Sequence, residues 1–184
     1  MIKILIVYAT IEGQTHKIAE TMAASLEKRG HVVALTNSAE AHEFGLERPE
    51  AVILAAPVHA GRYPTPFVDF VHREQDWLNG LVSAFVSVTL SIQSEHEDER
   101  ALAQKYPEAL MAETGWKPDM VHHAAGALRY TQYDFFKRWI MREIARKEGA
   151  RPYDGNDVEF TDWTALEGFL DRFLAMASTA ATKV

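Results

Sequence analysis

Residues 1–30 constrain the fold more strongly than any other part of the chain. Residues 4–8 form an unbroken apolar run, the pattern of a strand whose sheet is covered on both faces. A short loop containing one glycine follows at 10–15. The next segment places Ile18, Met22 and Leu26 on one helical face and ends at a glycine. This order of strand, loop and helix predicts the first crossover of a parallel sheet.

Apolar runs and amphipathic segments continue to alternate along most of the chain. Strands separated by helices favour a parallel sheet with right-handed crossovers. We therefore predict an α/β fold, a doubly wound five-stranded parallel sheet whose fifth strand is interrupted by an insertion. The predicted strands are residues 4–8, 31–36, 51–56, 83–90 and 120–125, the last continuing towards Leu128. The later predicted helices begin near Pro64, cover about 99–112, and follow a Thr161-Asp162 cap.

The alternation stops at residues 129–156, which are long, basic and aromatic and fit no simple crossover. The strand-like residues 158–160 then resume the pattern. We interpret residues 1–177 as a single domain that carries 129–156 as an insertion. Residues 178–184 are predicted to be a frayed C-terminal tail.

Composition excludes several classes of function. The net charge of -7 argues against general nucleic-acid binding, so no nucleic-acid partner is expected. The absence of cysteine excludes disulfides, thiolate metal sites and cysteine nucleophiles. No stretch approaches the roughly 20 apolar residues of a membrane span, and the N-terminus has a strand pattern rather than that of a signal peptide. A cytoplasmic location is therefore expected.

The loop at 10–15 is predicted to bind a phosphate group. A junction between a strand and a helix presents free backbone N–H groups and the positive end of the helix dipole. The hydroxyls of Thr10 and Thr15 and the amide of Gln14 are further neutral donors, whereas Glu12 is expected to contribute only its backbone. No P-loop lysine and no G-x-G-x-x-G spacing occurs here, which disfavours ATP and dinucleotides. The sequence therefore predicts a phosphomonoester held without a cation.

Two further loops are expected beside the first, because ligands of such sheets lie beyond the carboxyl ends of the strands. They are residues 57–63 and 89–93, which could bracket a flat ring system. Tyr63 is a candidate to stack on that ring, with Tyr130 and Tyr133 as rivals. His59 either contacts the edge of the ligand or is a solvated loop histidine.

A metal site is not predicted. His122 and His123 are adjacent on a predicted strand, so their side chains point to opposite faces of the sheet and cannot converge on one ion. A serine hydrolase is also disfavoured, because no G-x-S-x-G motif occurs around the serines of the fourth strand.

Several motifs together resemble a known family. Residues Ile6-Val7-Tyr8-x-Thr10-x-x-Gly13-x-Thr15, with Ala19 beyond them, look like the flavodoxin signature for the FMN phosphate loop. Three later motifs resemble the menaquinone-dependent protoporphyrinogen IX dehydrogenases, which are FMN proteins of heme synthesis built on a long-chain flavodoxin scaffold. These motifs are Gly115-Trp116-Lys117-Pro118-Asp119, Ala125-Gly126-Ala127-Leu128-Arg129-Tyr130 and Phe160-Thr161-Asp162-Trp163.

The resemblance implies an FMN-dependent oxidation of protoporphyrinogen IX to protoporphyrin IX, with a quinone (menaquinone or ubiquinone) as electron acceptor. The redox chemistry would belong to the FMN, which the protein positions and tunes. No catalytic residue is assigned. The residues expected to contact the cofactor are those of the phosphate loop (Thr10, Ile11, Glu12, Gly13, Gln14, Thr15), the second loop (Pro57, Val58, His59, Ala60, Gly61, Tyr63), and, carried over from the family, Val88, Thr89, Leu90, Leu128, Arg129 and Tyr130.

The insertion is the candidate surface for substrate or membrane. Residues 135–148 carry five cations and two anions within an acidic protein, and at helical spacing Phe136, Ile140 and Ile144 share one face. This composition fits a helix lying in a membrane interface, and equally a helix packed on the domain's own core or on a second subunit. Arg129 and Lys137 would also suit the propionates of a tetrapyrrole. The candidate residues for substrate or membrane contact are Arg129, Lys137, Arg138 and Trp139.

Two other readings stay open at this point. One is a flavodoxin-type FMN electron carrier without an organic substrate of its own, for which an acidic surface would suit docking to redox partners. The other is a binding module that kept the fold and lost the flavin.

Overall fold

The computed structural model describes residues 1–41, 49–94, 96–128 and 158–181. Five strands, β1 to β5, form the central sheet, and four long helices, α1 to α4, pack on it. The central strands are β1 Lys3–Tyr8, β2 Val32–Asn37, β3 Ala51–Pro57, β4 Val82–Val88 and β5 Met120–Ala124. The helices are α1 Gln14–Lys28, α2 Thr65–Asn79, α3 Glu97–Thr114 and α4 Trp163–Ala181, with a 3₁₀ turn at Leu90–Gln93. Two short strands, β6 Ala127–Leu128 and β7 Val158–Glu159, form a separate pair.

The central sheet has the order β2-β1-β3-β4-β5, and all of its pairings are parallel. This confirms the predicted doubly wound five-stranded sheet. The chain moves outward from β1 to β2, then crosses back to β3 on the other side of β1. The strand order therefore reverses between β1 and β3, and the carboxyl ends of these neighbours leave a crevice where ligands of open α/β sheets bind.

The two faces of the sheet are covered by different helices and different side chains. Helices α1 and α4 cover one face with a mostly aliphatic core that includes Ile18, Met22 and Leu26. The opposite face, under α2 and α3, is rich in aromatic rings such as Phe67, Phe85 and Trp116. Because both faces are buried, β1 and β3 are continuous apolar runs rather than alternating ones.

The predicted fifth strand ends earlier than expected. β5 stops at Ala124, and the chain beyond it enters β6, which pairs antiparallel with β7 in the register Ala127↔Glu159 and Leu128↔Val158. The predicted insertion at 129–156 lies outside the described residues, between these two short strands. At the C-terminus, α4 continues to Ala181, so residues 178–181 of the predicted tail are helical. None of the described helices is long and apolar enough to cross a membrane.

Candidate functional site

A cavity of about 280 Å³ opens at the carboxyl ends of β1, β3 and β4. It lies at the point where the strand order reverses, and its size is close to the lower end of the roughly 300–1,000 Å³ typical of small-molecule sites. The three loops predicted from the sequence meet around it. Its lining residues are Thr10, Ile11, Glu12, Gln14, Thr15, Pro57, Val58, His59, Ala60, Gly61, Val88, Thr89, Leu90, Ser91, Tyr106 and Gly126.

The first loop turns sharply into α1 through Gly13. This glycine has φ of 90°, in the left-handed region that an L side chain rarely adopts. Its N–H donates to Thr10 Oγ1 at 2.9 Å, and its carbonyl accepts the N–H of Lys17 at 3.1 Å. Since Thr10 Oγ1 accepts this bond, the hydroxyl proton of Thr10 can still be donated to a ligand.

The first turn of α1 supplies donors to the cavity. The N–H groups of its first residues have no acceptor within the helix, and no described side chain caps this end. Gln14 and Thr15 belong to this turn and line the cavity, with Thr15 only 2% exposed. A phosphate group fits this donor set, since uncapped N–H groups and the helix dipole both favour an anion.

The described lining residues also determine the charge of this part of the cavity wall. No lysine or arginine occurs among the described lining residues. The half-buried Glu12 is on the cavity wall, so the groups that the described residues offer to an anion there are N–H and hydroxyl groups close to a carboxylate.

The sequence predicts that the side-chain amide of Gln14 donates to the phosphate. In the structure this amide is not free to do so. Its Nε2 group donates to Glu159 Oε1 at 3.0 Å and to Thr161 Oγ1 at 2.9 Å. Both amide protons are therefore used within the protein. Only the backbone N–H of Gln14 remains as its contribution to the site.

The second loop lines the cavity with residues 57–61. The N–H of Val58 donates to the carbonyl of Val88 at 2.8 Å, which extends the pairing of β3 and β4 to the cavity rim. His59 and Arg62 then exchange two backbone hydrogen bonds around a tight turn. The two central residues, Ala60 and Gly61, have φ of 49° and 79°. A turn with positive φ at both positions keeps the chain close to the cavity.

The proposed stacking role of Tyr63 is wrong. Its side chain is 6% exposed and lies in the aromatic core, with its ring centroid 5.3 Å from that of Phe85 and 6.1 Å from that of Phe67. Its hydroxyl is 2.7 Å from Ser87 Oγ, and burial raises the pKa of this phenol. Because these contacts satisfy the ring and the hydroxyl inside the protein, Tyr63 does not face the cavity.

Three cavity residues were not among the predicted contacts: Ser91, Tyr106 and Gly126. Ser91 lies in the third predicted loop, where Thr89 Oγ1 accepts its N–H at 3.3 Å. Gly126 lies two residues beyond the end of β5, and a Cβ there would make an ordinary contact with Val88 Cγ1 at 3.6 Å. Tyr106 belongs to α3 and reaches the second loop, its hydroxyl 3.9 Å from where a Cβ on Gly61 would be. No local pattern marks Tyr106, since its place depends on how α3 packs.

For several predicted site residues, the structure does not describe the side chain or the whole residue. For Leu128 the structure describes the backbone of β6 but not the side chain. Arg129, Tyr130, Tyr133, Lys137, Arg138 and Trp139 lie outside the described residues.

The adjacent histidines on β5 point to opposite faces of the sheet, as their alternation predicts. His122 stacks on Phe169 of α4 with 5.1 Å between ring centroids, and burial, followed by nearby Arg172, lowers its pKa to about 4. His123 lies on the other face, and burial lowers its pKa as well. Both rings are therefore neutral near pH 7 and do not converge on one ligand.

Comparison with known proteins agrees with this geometry. The sequence profile of the flavodoxin domain family matches residues 5–154. A protein of Escherichia coli strain K12 named protoporphyrinogen IX dehydrogenase [quinone] is 30% identical over 167 residues, which cover 91% of this chain and 92% of the relative. A Leishmania major protein with the same name is 28% identical over 175 residues, covering 95% of this chain and 75% of the relative.

Solved structures show the same fold at low sequence identity. The Streptococcus pneumoniae TIGR4 flavodoxin superposes with a TM-score of 0.51 at 16% identity, covering 99% of both chains. Rubredoxin oxygen:oxidoreductase of Desulfovibrio gigas matches with a TM-score of 0.55 at 14% identity, covering 98% of this chain and 36% of that one. The chain thus belongs to the flavodoxin domain family and, within it, groups with the proteins named protoporphyrinogen IX dehydrogenase [quinone].

Proposed function

We propose that this protein is an FMN-dependent oxidoreductase of heme biosynthesis that oxidises protoporphyrinogen IX to protoporphyrin IX with a quinone as electron acceptor. The observation that carries the proposal is the cavity bounded by the uncapped first turn of α1, with no lysine or arginine among its described lining residues, in a chain whose relatives carry the dehydrogenase name. The oxidation removes six hydrogen atoms from the porphyrinogen as six electrons and six protons, and each of three quinone molecules takes up two electrons and two protons to become a quinol.

The residues of the cavity would hold FMN by its two ends. The backbone N–H groups of the first turn of α1, with the hydroxyls of Thr10 and Thr15, would bind the phosphate. The second loop and the residues after β4 would line the flavin ring. The bound flavin would supply the two-electron chemistry.

The described residues would bind the cofactor and orient it, and none of them is assigned as the proton acceptor. Glu12, His59 and Tyr106 carry the titratable groups that the described lining includes, and we assign no catalytic base among them. Gly126 and Val88 contribute no polar side chain to the cavity wall.

The assay that tests this proposal supplies protoporphyrinogen IX and a quinone to protein loaded with FMN. We expect anaerobic formation of protoporphyrin IX that requires both the FMN and the quinone. Protein that binds FMN but leaves protoporphyrinogen IX unoxidised with quinone present would overturn the dehydrogenase proposal and leave the flavin site intact.

A flavodoxin-type electron carrier is the second candidate. The observation that favours it is the match to the Streptococcus pneumoniae flavodoxin over 99% of both chains, together with the net charge of -7. A carrier would form a stable one-electron reduced state and pass electrons to a protein partner without turning over any organic substrate. Anaerobic reductive titration, followed by absorbance, separates this candidate from the dehydrogenase.

We also propose that residues 135–148 make peripheral contact with the membrane that holds the quinone. Five cations and two anions give this segment a local positive charge, and aromatic residues lie among them. Cations near anionic headgroups and aromatic side chains at the interface favour such contact. Trp139→Asp should reduce sedimentation with anionic liposomes while flavin content is unchanged, and equal sedimentation of both proteins would contradict the contact.

A further inference from the structure

We propose that Lys17, Gln14 and Glu159 form a clamp that couples the cofactor loop to the two short strands that flank residues 129–157. We assign Lys17 and Glu159 as positioning residues. Their contact holds β7, and through it β6, against the phosphate loop. The inference deepens the proposed function and rests on it for the identity of the cofactor.

The clamp is centred on the carboxylate of Glu159 in β7. Lys17 Nζ is 2.6 Å from Glu159 Oε2, and Gln14 Nε2 donates to Glu159 Oε1 at 3.0 Å. Both donors come from the first turns of α1, the helix whose N-terminus faces the cavity. The hydrogen bond from Lys17 is the main cause that lowers the pKa of Glu159, and that from Gln14 acts in the same direction, against burial.

A second set of contacts joins β7 to the end of β5. Gln14 Nε2 also donates to Thr161 Oγ1 at 2.9 Å, and the Thr161 hydroxyl donates to the carbonyl of Ala125 at 2.8 Å. The N–H of Phe160 donates to the carbonyl of Gly126, a residue of the cavity wall, at 3.2 Å. The phosphate loop, the cavity wall, β7 and the residues just before β6 therefore share one connected set of polar contacts.

The position of Lys17 separates this arrangement from a simple surface ion pair. Isolated exposed ion pairs contribute little, and Lys17 and Glu159 are partly exposed. Here Lys17 Nζ also lies 5.4 Å from the centre of the Trp163 indole ring, at the start of α4. Its ammonium is thus held by a carboxylate and an aromatic face, and the same carboxylate receives a second donor.

Coupling of this kind is reciprocal. If the clamp links the two regions, FMN binding must stabilise β6 and β7 by the same factor by which loosening of these strands weakens FMN binding. The test measures both quantities in the wild type and in three variants: Glu159→Leu, Lys17→Met and Lys17→Arg. The matched control is Arg29→Met, since Arg29 also bridges α1 to α4, through Glu167 and Asp171, at the far end of the same helix.

We expect Glu159→Leu to weaken FMN binding by about three- to tenfold. In the wild type, FMN should slow the hydrogen exchange of amides 127–128 and 158–160 by a similar factor, and this slowing should be absent in Glu159→Leu. Lys17→Met should resemble Glu159→Leu, Lys17→Arg should restore binding, and Arg29→Met should match the wild type.

Charge alone predicts the opposite sign for one variant. Removing the Glu159 carboxylate near a phosphate would strengthen FMN binding if only long-range electrostatics mattered. Tighter or unchanged binding in Glu159→Leu, with FMN still slowing exchange, would overturn the clamp. If the wild type binds no FMN, the proposed function fails, and the clamp is then tested in the protein without cofactor. Faster hydrogen exchange of these amides in Glu159→Leu than in Arg29→Met would support the clamp. Equal exchange in the two variants would overturn it.

Discussion

The loops after β1 and β3 begin side by side, because Tyr8 and Ala55 are paired in neighbouring strands. Both line the cavity, yet they are built differently. The first loop is closed by local contacts, chiefly the bond from the Gly13 N–H to Thr10 Oγ1 three residues earlier. The second contributes residues 57–61, held by a turn between His59 and Arg62, and its aromatic residue, Tyr63, turns away into the core.

This difference shows which parts of a binding site are local. The first loop presents helix N–H groups whose direction follows from the strand-loop-helix geometry itself. The direction of the Tyr63 side chain depends on Phe67 and Phe85, which belong to other elements, and on Ser87. The first loop should therefore control FMN affinity, whereas Tyr63 should control stability.

The largest expected effect is that of Tyr63→Ala, which tests whether Tyr63 controls stability rather than FMN affinity. Removing a buried aromatic ring leaves a cavity and should lower the free energy of unfolding by about 3–5 kcal/mol. Urea unfolding measures it. Tyr106→Ala is the matched control, since this half-buried ring lines the cofactor cavity: it should lose less stability and more FMN affinity. A larger stability loss in Tyr106→Ala would mean that the two roles are reversed.

The next largest effect is a loss of stability at low pH, which we expect to come from His122 in β5 rather than from either loop. His122 has a folded pKa of about 4, below the 6.5 of the unfolded chain, so the unfolded state binds more protons between these values. The contribution of His122 to the free energy of unfolding should be constant above pH 6.5 and should fall as the pH drops towards 4. The loss is at most about 3 kcal/mol, at roughly 1.4 kcal/mol for each pH unit.

His122→Phe removes this titration while keeping an aromatic ring against Phe169. Urea unfolding at several pH values between 4 and 7 should show a shallower dependence in the variant. His123, whose pKa is also lowered by burial, leaves part of the slope. An identical pH dependence in both proteins would show that His122 does not carry this effect.

Thr15→Val sharpens the comparison from the side of the first loop. The buried Thr15 lines the cavity, and a valine has the same shape without the hydroxyl. FMN binding should weaken by about 1–3 kcal/mol because a phosphate oxygen loses a donor. Fluorescence titration with FMN measures this, and the stability of the cofactor-free protein serves as the control. Unchanged affinity would mean that the phosphate is not held at this loop.

The smallest effect is expected in Tyr63→Phe. The ring stays in the core, and Ser87 Oγ loses its partner at 2.7 Å, which should cost about 1 kcal/mol of stability. FMN affinity should equal that of the wild type. A clear loss of FMN affinity, with stability unchanged, would return Tyr63 to the cofactor site.

The sequence predicted the sheet well because its strands are long apolar runs and its helices have clear glycine or proline boundaries. The position of the first loop beside the cavity followed from the same patterns, because the geometry of the backbone sets it. The direction of Tyr63, the use of the Gln14 amide by Glu159 and the approach of Tyr106 all depend on contacts between residues distant in sequence. Such contacts are set by tertiary packing, which the local pattern does not encode.

We propose that N–H and hydroxyl groups of the first loop hold the phosphate of FMN, with no lysine or arginine among the described lining residues. The most direct measurement compares the affinity of the wild-type protein for FMN with that for riboflavin, which has the same ring and lacks the phosphate. We predict that FMN binds at least about tenfold more tightly, the equivalent of roughly 1.4 kcal/mol from the phosphate. Equal affinity for the two ligands would contradict the account.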